Sequence, residues 1–575
     1  MFIKITKSGR YEYVQLVRSY RYDHNIKHQV LLNLGRLDQI KDNPSFQHLA
    51  VRLQEISNLK NQINMNDISE AEIVNWGYIV YQKIWQEFGL DKTLSRLTKK
   101  RKTQFNLDNA SFLMVIQHLL DAKSKLSTYS HQNRYIGLPE IKLQHLYRSL
   151  DLLSESKEIL EEEIFYQNCN LFNLQVDVVF YDVTTFAFES VRKDSLRDFG
   201  FSKDAKFKEV QVVMGLLIDR EGRPIGYELF SGNTFEGKTL EVSLDKLKKR
   251  FTIGKVIIVA DRGINSKINL MHIKDKGYDY IFASRIKNMK KNIKEEIFNK
   301  DGYQDTDGIS YKIINYLNRV NKNYELPENL IITYSPKRAQ KDRADRERLI
   351  KKARTLLNNK SYITASNKRG GKKYLKGSKD INWILDDEAI KKDEIFDGYY
   401  GIQTSEKNLT AKEVLKAYQT LWKIEESFRI MKTTLEVRPV FHWTESRIKG
   451  HFVICFLAFL LERTLEFKLK KANLEASPQK IQEVLNSMNF AQVKIEKSKF
   501  LIKTKFDSLG NKILRLLHSR ENLKRKATLI TSILLLGILY GLRKKLKSTL
   551  SNIRKFESSF PKANMKRQCK NTMIL

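Results

Sequence analysis

The clearest periodic pattern in the chain runs from Ala411 to Leu435 (AKEVLKAYQTLWKIEESFRIMKTTL), where apolar residues recur at helical spacing without an intervening Gly or Pro. Val414, Tyr418, Leu421, Glu425, Phe428, Lys432 and Leu435 fall on one stripe of the predicted helix. Most of that stripe is apolar or aromatic, so the pattern turns it inward and carries Glu425 and Lys432 with it. Those two stand two turns apart, roughly 10 Å by helix rise, too far for a side-by-side ion pair. An inward carboxylate needs another positive partner, and both a Lys or Arg from elsewhere and a metal ion fit that need. Glu426 lies off the stripe, where it can pair with Arg429 at the surface.

Residues 1–40 alternate and then turn, predicting an N-terminal β-hairpin region around Asp23-His24-Asn25. Arg18, Arg21, Lys27 and Arg36 stud it, as suits a DNA-contacting ribbon or a small solvated sheet. Residues 41–168 read as helical, with amphipathic stretches at 73–90 and 110–126 joined by the basic run Lys99–Lys102. Helices joined by basic loops fit a DNA-binding region, or a helical scaffold.

At residue 169 the period changes. Leu174–Ser190 is rich in β-branched and aromatic residues. Two strands follow as a hairpin turning near Glu221-Gly222, then an amphipathic helix, Phe235–Phe251. Lys255–Gly263 (KVIIVADRG) contains a short continuous apolar run, the mark of a parallel strand buried on both faces. A helix near 266–276 and a strand near 278–285 complete the first part of a core, 169–285. Residues 286–394 are dense in charge and predict an inserted, mostly polar subdomain. Strand character returns at Phe396–Thr404, opening the second part of the core, 395–470. A Lys-rich C-terminal helical region, 471–575, closes the chain.

This order predicts an α/β, RNase H-like catalytic core: three antiparallel strands, then parallel strands covered by helices. In such a core the first and fourth strands lie side by side. Asp182 falls within the first, and Asp261 ends the fourth, where open sheets of this class place ligands. Glu425 comes from the helix after the last strand. Each acid alone also fits a local role: hydrogen bonding at a strand edge for Asp182, a helix cap for Asp261. Together they would converge on one edge of the sheet, where their mutual repulsion calls for cations. Oxygen-only ligands suit Mg²⁺ or Mn²⁺, and two such ions can serve an in-line phosphoryl displacement. No pair of His residues has zinc-like spacing, and Cys169, Cys455 and Cys569 have no metal spacing among themselves.

Charge narrows the partner. The chain has 575 residues, too many for one ordinary core, and a formal net charge of +37 spread along its length. That excess favours nucleic acid over an anionic membrane surface, although biased codon usage also yields Lys-rich chains. Three scattered thiols point to a reducing compartment and against a disulfide frame. The first residues lack the apolar core of an export signal, so a cytoplasmic location is expected. Residues 527–542 are uncharged but short of the ~20 needed to span a bilayer, and read as a buried helix rather than a membrane segment.

These motifs resemble the bacterial insertion-sequence transposases of the DDE superfamily, in the group with a Tyr–Arg–Glu–Lys signature spaced Y-x2-R-x3-E-x6-K. Tyr418, Glu425 and Lys432 fit that spacing, with Leu421 where Arg is usual. YDVTTF around Asp182, ELFSGN, IIVADRGINS around Asp261, FDGYYGIQT and the SKL at Ser124–Leu126 are also similar. The resemblance spans roughly residues 10–465 and accounts for the insertion before Glu425. It implies that Asp182, Asp261 and Glu425 are catalytic and hold the metals, and that Tyr418 and Lys432 contact phosphate near the element end. Lys423 or Arg429 would replace the missing Arg. Arg262 is a further DNA-contact candidate, and Thr184 a supporting residue beside the acids. The implied function is cut-and-paste transposition on double-stranded DNA, at terminal inverted repeats and a target, by a homodimer in the DNA complex. Two other classes stay open here: a decayed copy that only binds element ends, and an RNase H-like nuclease.

Overall fold

The computed structural model describes residues 1–22, 25–41, 43–56, 68–99, 101, 103–172, 178–202, 206, 208–251, 256–306, 308–321, 324–358, 363, 370–377, 383–495 and 498–517. The chain divides into two units, residues 1–73 with 490–504, and residues 74–489 with 505–575.

In the first unit, β1 (Phe2–Ser8), β2 (Tyr11–Tyr22) and β3 (Asn25–Arg36) form an antiparallel three-stranded sheet. The expected hairpin is β2–β3, and its turn lies outside the described residues. β1 adds a strand that the hairpin reading lacked. A further strand, β4 (Ile68–Asn75), joins Asn489–Ile495 and Ser498–Lys503 in a second sheet. Two expectations are therefore corrected: neither 41–168 nor 471–575 is purely helical. The sheet closes between segments more than 400 residues apart, so hydrophobic period alone could not reveal the pairing. The apolar segment 527–542 lies outside the described residues.

The second unit opens with helices α1 (Ile79–Glu87), α2 (Leu90–Lys99), α3 (Leu107–Leu120), α4 (Lys125–Ser130) and α5 (Leu143–Phe172). The predicted helix at 110–126 breaks after Leu120 because Ser124 starts a new one, accepting a bond from the Ser127 N–H at 3.2 Å. β5 (Val178–Ala187), β6 (Gln211–Asp219) and β7 (Pro224–Ser231) are antiparallel. Gly222, with φ +85°, supplies the left-handed turn between β6 and β7. Next come α6 (Glu236–Arg250), β8 (Ile257–Ala260), α7 (Lys267–Asp275) and β9 (Asp279–Ala283). β8 runs parallel to both β5 and β9, as the RNase H-like order requires.

The insertion does not stand apart. Its strands β10 (Gln304–Thr306), β11 (Ile309–Arg319) and β12 (Glu325–Tyr334) extend the same sheet. Helix α8 (Pro336–Leu357) and a short ribbon, β13 (Leu375–Lys376) with β14 (Ile384–Leu385), follow. β15 (Tyr399–Thr404) then pairs with β12 on one side and β9 on the other. The result is a nine-stranded sheet in the order β10-β11-β12-β15-β9-β8-β5-β6-β7.

α6 and α7 cover one face of the sheet, burying Leu240, Leu244, Leu270 and Ile273 against Val179, Tyr181 and Ile258. The other face carries α9 (Ala411–Gln419), α10 (Trp422–Arg429) and α11 (Glu445–Lys471). Phe186 meets Phe452 edge-on at 5.3 Å, and Tyr227 meets Phe456 at 5.1 Å. The run Phe452–Leu461 is wholly buried, as its composition predicts. Among the described residues no helix is long and apolar enough to cross a membrane.

Within α11, burial raises the carboxyls of Glu462 and Glu466 above the usual range, and Tyr81 Oη donates to Glu462 at 2.5 Å. A raised carboxyl favours the folded state when protonated, so this contribution is complete below about pH 4.5 and fades as pH rises towards and past neutrality. We expect Tm to fall across pH 5–8, and Glu462→Gln to flatten that slope in thermal melts recorded at each pH.

Candidate active site

Strand β5 is buried almost throughout, with one interruption. Nine of its ten residues are buried and Asp182 alone is half-buried. Its carboxylate accepts the Val183 N–H at 2.8 Å. β5 and β8 are paired in parallel register, Tyr181 beside Ala260. Asp261 follows Ala260 just past the end of β8, exposed, so each aspartate comes directly after one member of the last β5–β8 pair. Thr184, two positions along on the same face as Asp182, is buried.

The helix that brings Glu425 departs from its prediction. A continuous helix over Ala411–Leu435 is expected, but the chain turns at Thr420-Leu421, separating α9 from α10, and ends in a π-helical stretch, Ile430–Thr434. α9 starts with a capping box: Thr410 Oγ1 accepts the Glu413 N–H at 3.3 Å and Glu413 accepts the Thr410 N–H at 2.9 Å. α10 packs against β5 through Ile424, Ser427 and Phe428, which are buried. Glu425 is exposed, which corrects the expectation of an inward-facing carboxylate. The stripe itself holds, with Val414, Leu421, Phe428 and Leu435 all buried, but Ile424 takes the inward position next to it and leaves Glu425 in solvent. Glu426 meets Arg429 at 3.5 Å, as predicted, and also the buried Arg463 at 3.3 Å.

Tyr418 Oη donates to Asp261 Oδ1 at 3.3 Å and shares a 2.7 Å hydrogen bond with Tyr400 Oη. Burial, then Tyr400 and Asp261, push the Tyr418 phenol far above its ordinary value, so it remains a protonated donor. Sequence reasoning named Arg262 but missed Tyr400 and Arg338: the Arg338 guanidinium lies 4.3 Å and that of Arg262 5.7 Å from the Tyr400 ring centre. Arg338 belongs to the insertion, and no local pattern linked it to Asp261. Arg262 and Arg338 also line a cavity of about 430 Å³ with Arg285, Lys287 and Lys373. We expect Tyr400→Phe to leave Tm unchanged and lower strand cleavage about tenfold, because it removes the hydroxyl that fixes Tyr418; single-turnover cleavage rates check this.

Lys432 lies 5.6 Å from the Phe186 ring centre, on the Asp182 side of the sheet. The two substitutes for the missing Arg part company. Lys423 Nζ is bound to Arg220 O at 2.6 Å and lies 3.6 Å from Glu221, on the β6–β7 turn. Arg429 is largely exposed. Leu421 is buried.

The three carboxylates offer only oxygen ligands, from the middle of β5, the end of β8 and one helix, a donor set that fits hard divalent cations. Among the described residues, the set of three potential ligands drawn within 4.8 Å of one another is elsewhere: His118, His451 and Cys455, all buried. Metal spacing was not expected of these residues. His451 and Cys455 are one helical turn apart, and His118 arrives from α3.

Comparison with known proteins agrees with this architecture. The family described as IS1634 family transposase, N-terminal domain, matches residues 3–62, and the transposase DDE domain family matches residues 175–461. No curated protein matches the chain. Among solved structures, the piggyBac transposase synaptic complex with hairpin DNA is 10% identical, covering 72% of this chain and 80% of that one, with a TM-score of 0.36. The Mos1 transposase paired-end complex with left transposon end is 12% identical, covering 32% of this chain and 60% of that one, with a TM-score of 0.14. With the two matching domains in the order the sequence motifs predict, this chain belongs to the insertion-sequence transposases of the DDE superfamily.

Proposed function

We propose that Asp182, Asp261 and Glu425 form the catalytic centre with which this transposase hydrolyses the phosphodiester at the 3′ ends of its element and joins each freed 3′-OH to target DNA. A DDE transposase is a divalent-metal-dependent enzyme of DNA strand cleavage and transfer, and here the three carboxylates would hold two Mg²⁺ or Mn²⁺ ions. Such ions supply Lewis-acid stabilisation of the oxygens that gain charge in phosphoryl transfer. The observation that supports the assignment is the β5–β8 register, in which Tyr181 and Ala260, the residues before the two aspartates, are paired.

The chain's own groups position the DNA. The Tyr418 hydroxyl, held between Tyr400 and Asp261, would turn its one proton from Asp261 to a phosphate oxygen when that carboxylate takes up a cation. Lys432 is a point charge for a second phosphate. Arg429, exposed, is better placed than Lys423 to stand in for the Arg that Leu421 replaces. Arg262 adjoins Asp261 in sequence and lines the cavity, of mixed charge, that it shares with the insertion. Thr184 steadies the strand next to Asp182. The binding partner is double-stranded DNA, terminal inverted repeats and target alike, and a homodimer would bring the two ends together.

Incubated with DNA carrying its own inverted repeats, the purified protein is expected to cut at the repeat ends with Mg²⁺ or Mn²⁺, and to stop when EDTA is added while repeat binding persists. Equal cutting of DNA without repeats would instead identify a stand-alone nuclease.

A further inference from the structure

A second cavity, about 220 Å³, opens between α3, α4 and the loop that follows the π-helical stretch, and is lined by His118, Lys125, Glu436, Arg438, His442 and His451 among others. Glu436, its one carboxylate, is exposed, whereas Lys125 and His451 are buried. Lys125 is 4% exposed, and among the described residues no carboxylate lies within ion-pair distance of its ammonium. Burying an ammonium without a counter-charge is costly, and burial lowers the Lys125 pKa only to about 8, so at neutral pH it is still largely charged.

The histidines fix what else the cavity offers. His118 Nδ1 lies 3.0 Å from Leu435 O, so it carries the proton, and Nε2 accepts from Lys125 Nζ at 3.2 Å. His451 Nε2 lies 3.0 Å from Val437 O and likewise donates. That leaves the His451 Nδ1 lone pair buried and without a hydrogen-bond partner. Burial keeps both rings neutral. The buried part of the cavity therefore presents the Lys125 ammonium beside an unpartnered acceptor, His451 Nδ1, while the carboxylate of Glu436 is exposed. A metal ion at His118, His451 and Cys455 fits poorly, since Lys125 occupies the His118 lone pair and Val437 holds the Nε2 proton of His451.

We propose that this cavity binds a phosphate monoester group. Its oxygens accept from Lys125 and Arg438, and the P–OH of its monoanion can donate to His451 Nδ1. A phosphodiester and a sulfate have no such hydrogen to give. Two sources share this chemistry: the 5′-phosphate of a DNA strand end, which hydrolysis leaves opposite each freed 3′-OH, and free inorganic phosphate. The setting favours the strand end. The Leu435 and Val437 carbonyls that anchor the two histidines lie just after Lys432, and His451 precedes Phe452, which packs on Phe186 of β5.

The test uses the full chain and reads binding, so its outcome is separate from the catalytic assignment. Thermal melts would compare inorganic phosphate with sulfate and chloride at equal ionic strength. Fluorescence anisotropy would compare nicked element-end duplexes bearing a 5′-phosphate or a 5′-hydroxyl. We expect phosphate to raise Tm more than sulfate does, the 5′-phosphate duplex to bind about tenfold more tightly, and Lys125→Met to erase both differences. Met matches Lys in length and removes the buried charge, and should the variant not fold, the wild-type comparisons alone decide. A phosphate response without end discrimination assigns the cavity to the free ion. Equal effects of phosphate and sulfate, together with equal binding of both duplexes, would overturn the proposal.

Discussion

Asp182→Asn is expected to abolish strand cleavage, by about 10³-fold or more, while leaving binding to element ends within a factor of two or so. Asn keeps the volume and the hydrogen bond that the Asp182 side chain accepts from Val183, but it removes the charge that a divalent cation requires. The substitution sits on a strand whose other residues are all buried, so a fold defect would show at once as a lower Tm. Glu425→Gln is expected to behave in the same way, and more cleanly, since Glu425 is exposed and packs against nothing that the change would disturb. End-labelled cleavage assays and gel shifts on the same preparations separate the two effects. Normal cleavage by either variant would refute its catalytic role.

The second large effect is structural. Arg463 is 8% exposed and joins three elements: its guanidinium meets Glu466 at 2.5 Å, Glu426 at 3.3 Å and the carbonyl of Gly222 at 3.2 Å. Arg463→Met strips the partner from Glu426 and from Glu466, whose carboxyl burial already pushes up. We expect a loss of about 3–5 kcal/mol in urea unfolding, the cost of leaving buried charge uncompensated. Because Glu426 adjoins Glu425, cleavage by the folded fraction should fall as well. A loss below about 1 kcal/mol would mean that these groups are neutral together and that Arg463 is not what holds α10 to α11.

The core was legible because each of its strands announces itself locally. The apolar run before Asp261, the hairpin at Glu221-Gly222 and the aromatic strand around Asp182 all lie where their patterns put them, and the RNase H-like class follows from their order. The aspartates were legible for the same reason: each is an acid interrupting a run that otherwise wants burial. Glu425 was legible as a residue but not in its orientation, since both Ile424 and Glu425 sit close to the apolar stripe and packing takes Ile424 inward and leaves Glu425 exposed.

What stayed hidden depends on long-range pairing. Arg338 and Tyr400 meet only because the insertion strands β11 and β12 join the main sheet through β15. The charged runs around those strands suggested a separate subdomain instead. His118, Lys125 and His451 come together from three helices, and single residues on apolar faces carry no period that would pair them. The strand at 68–75 needed partners from 489–503 to become visible as a sheet.

The claim on which the account rests is that Asp182, Asp261 and Glu425 surround one divalent-cation site, and iron-directed backbone cleavage tests it most directly. With Fe²⁺ replacing Mg²⁺, peroxide and ascorbate generate hydroxyl radicals at the bound ion and cut the nearby backbone. The account predicts cuts clustered near residues 182, 261 and 425 together, suppressed by excess Mg²⁺ and lost in Asp182→Asn. Cuts near 182 and 261 with none near 425, or a pattern indifferent to Mg²⁺, would contradict it.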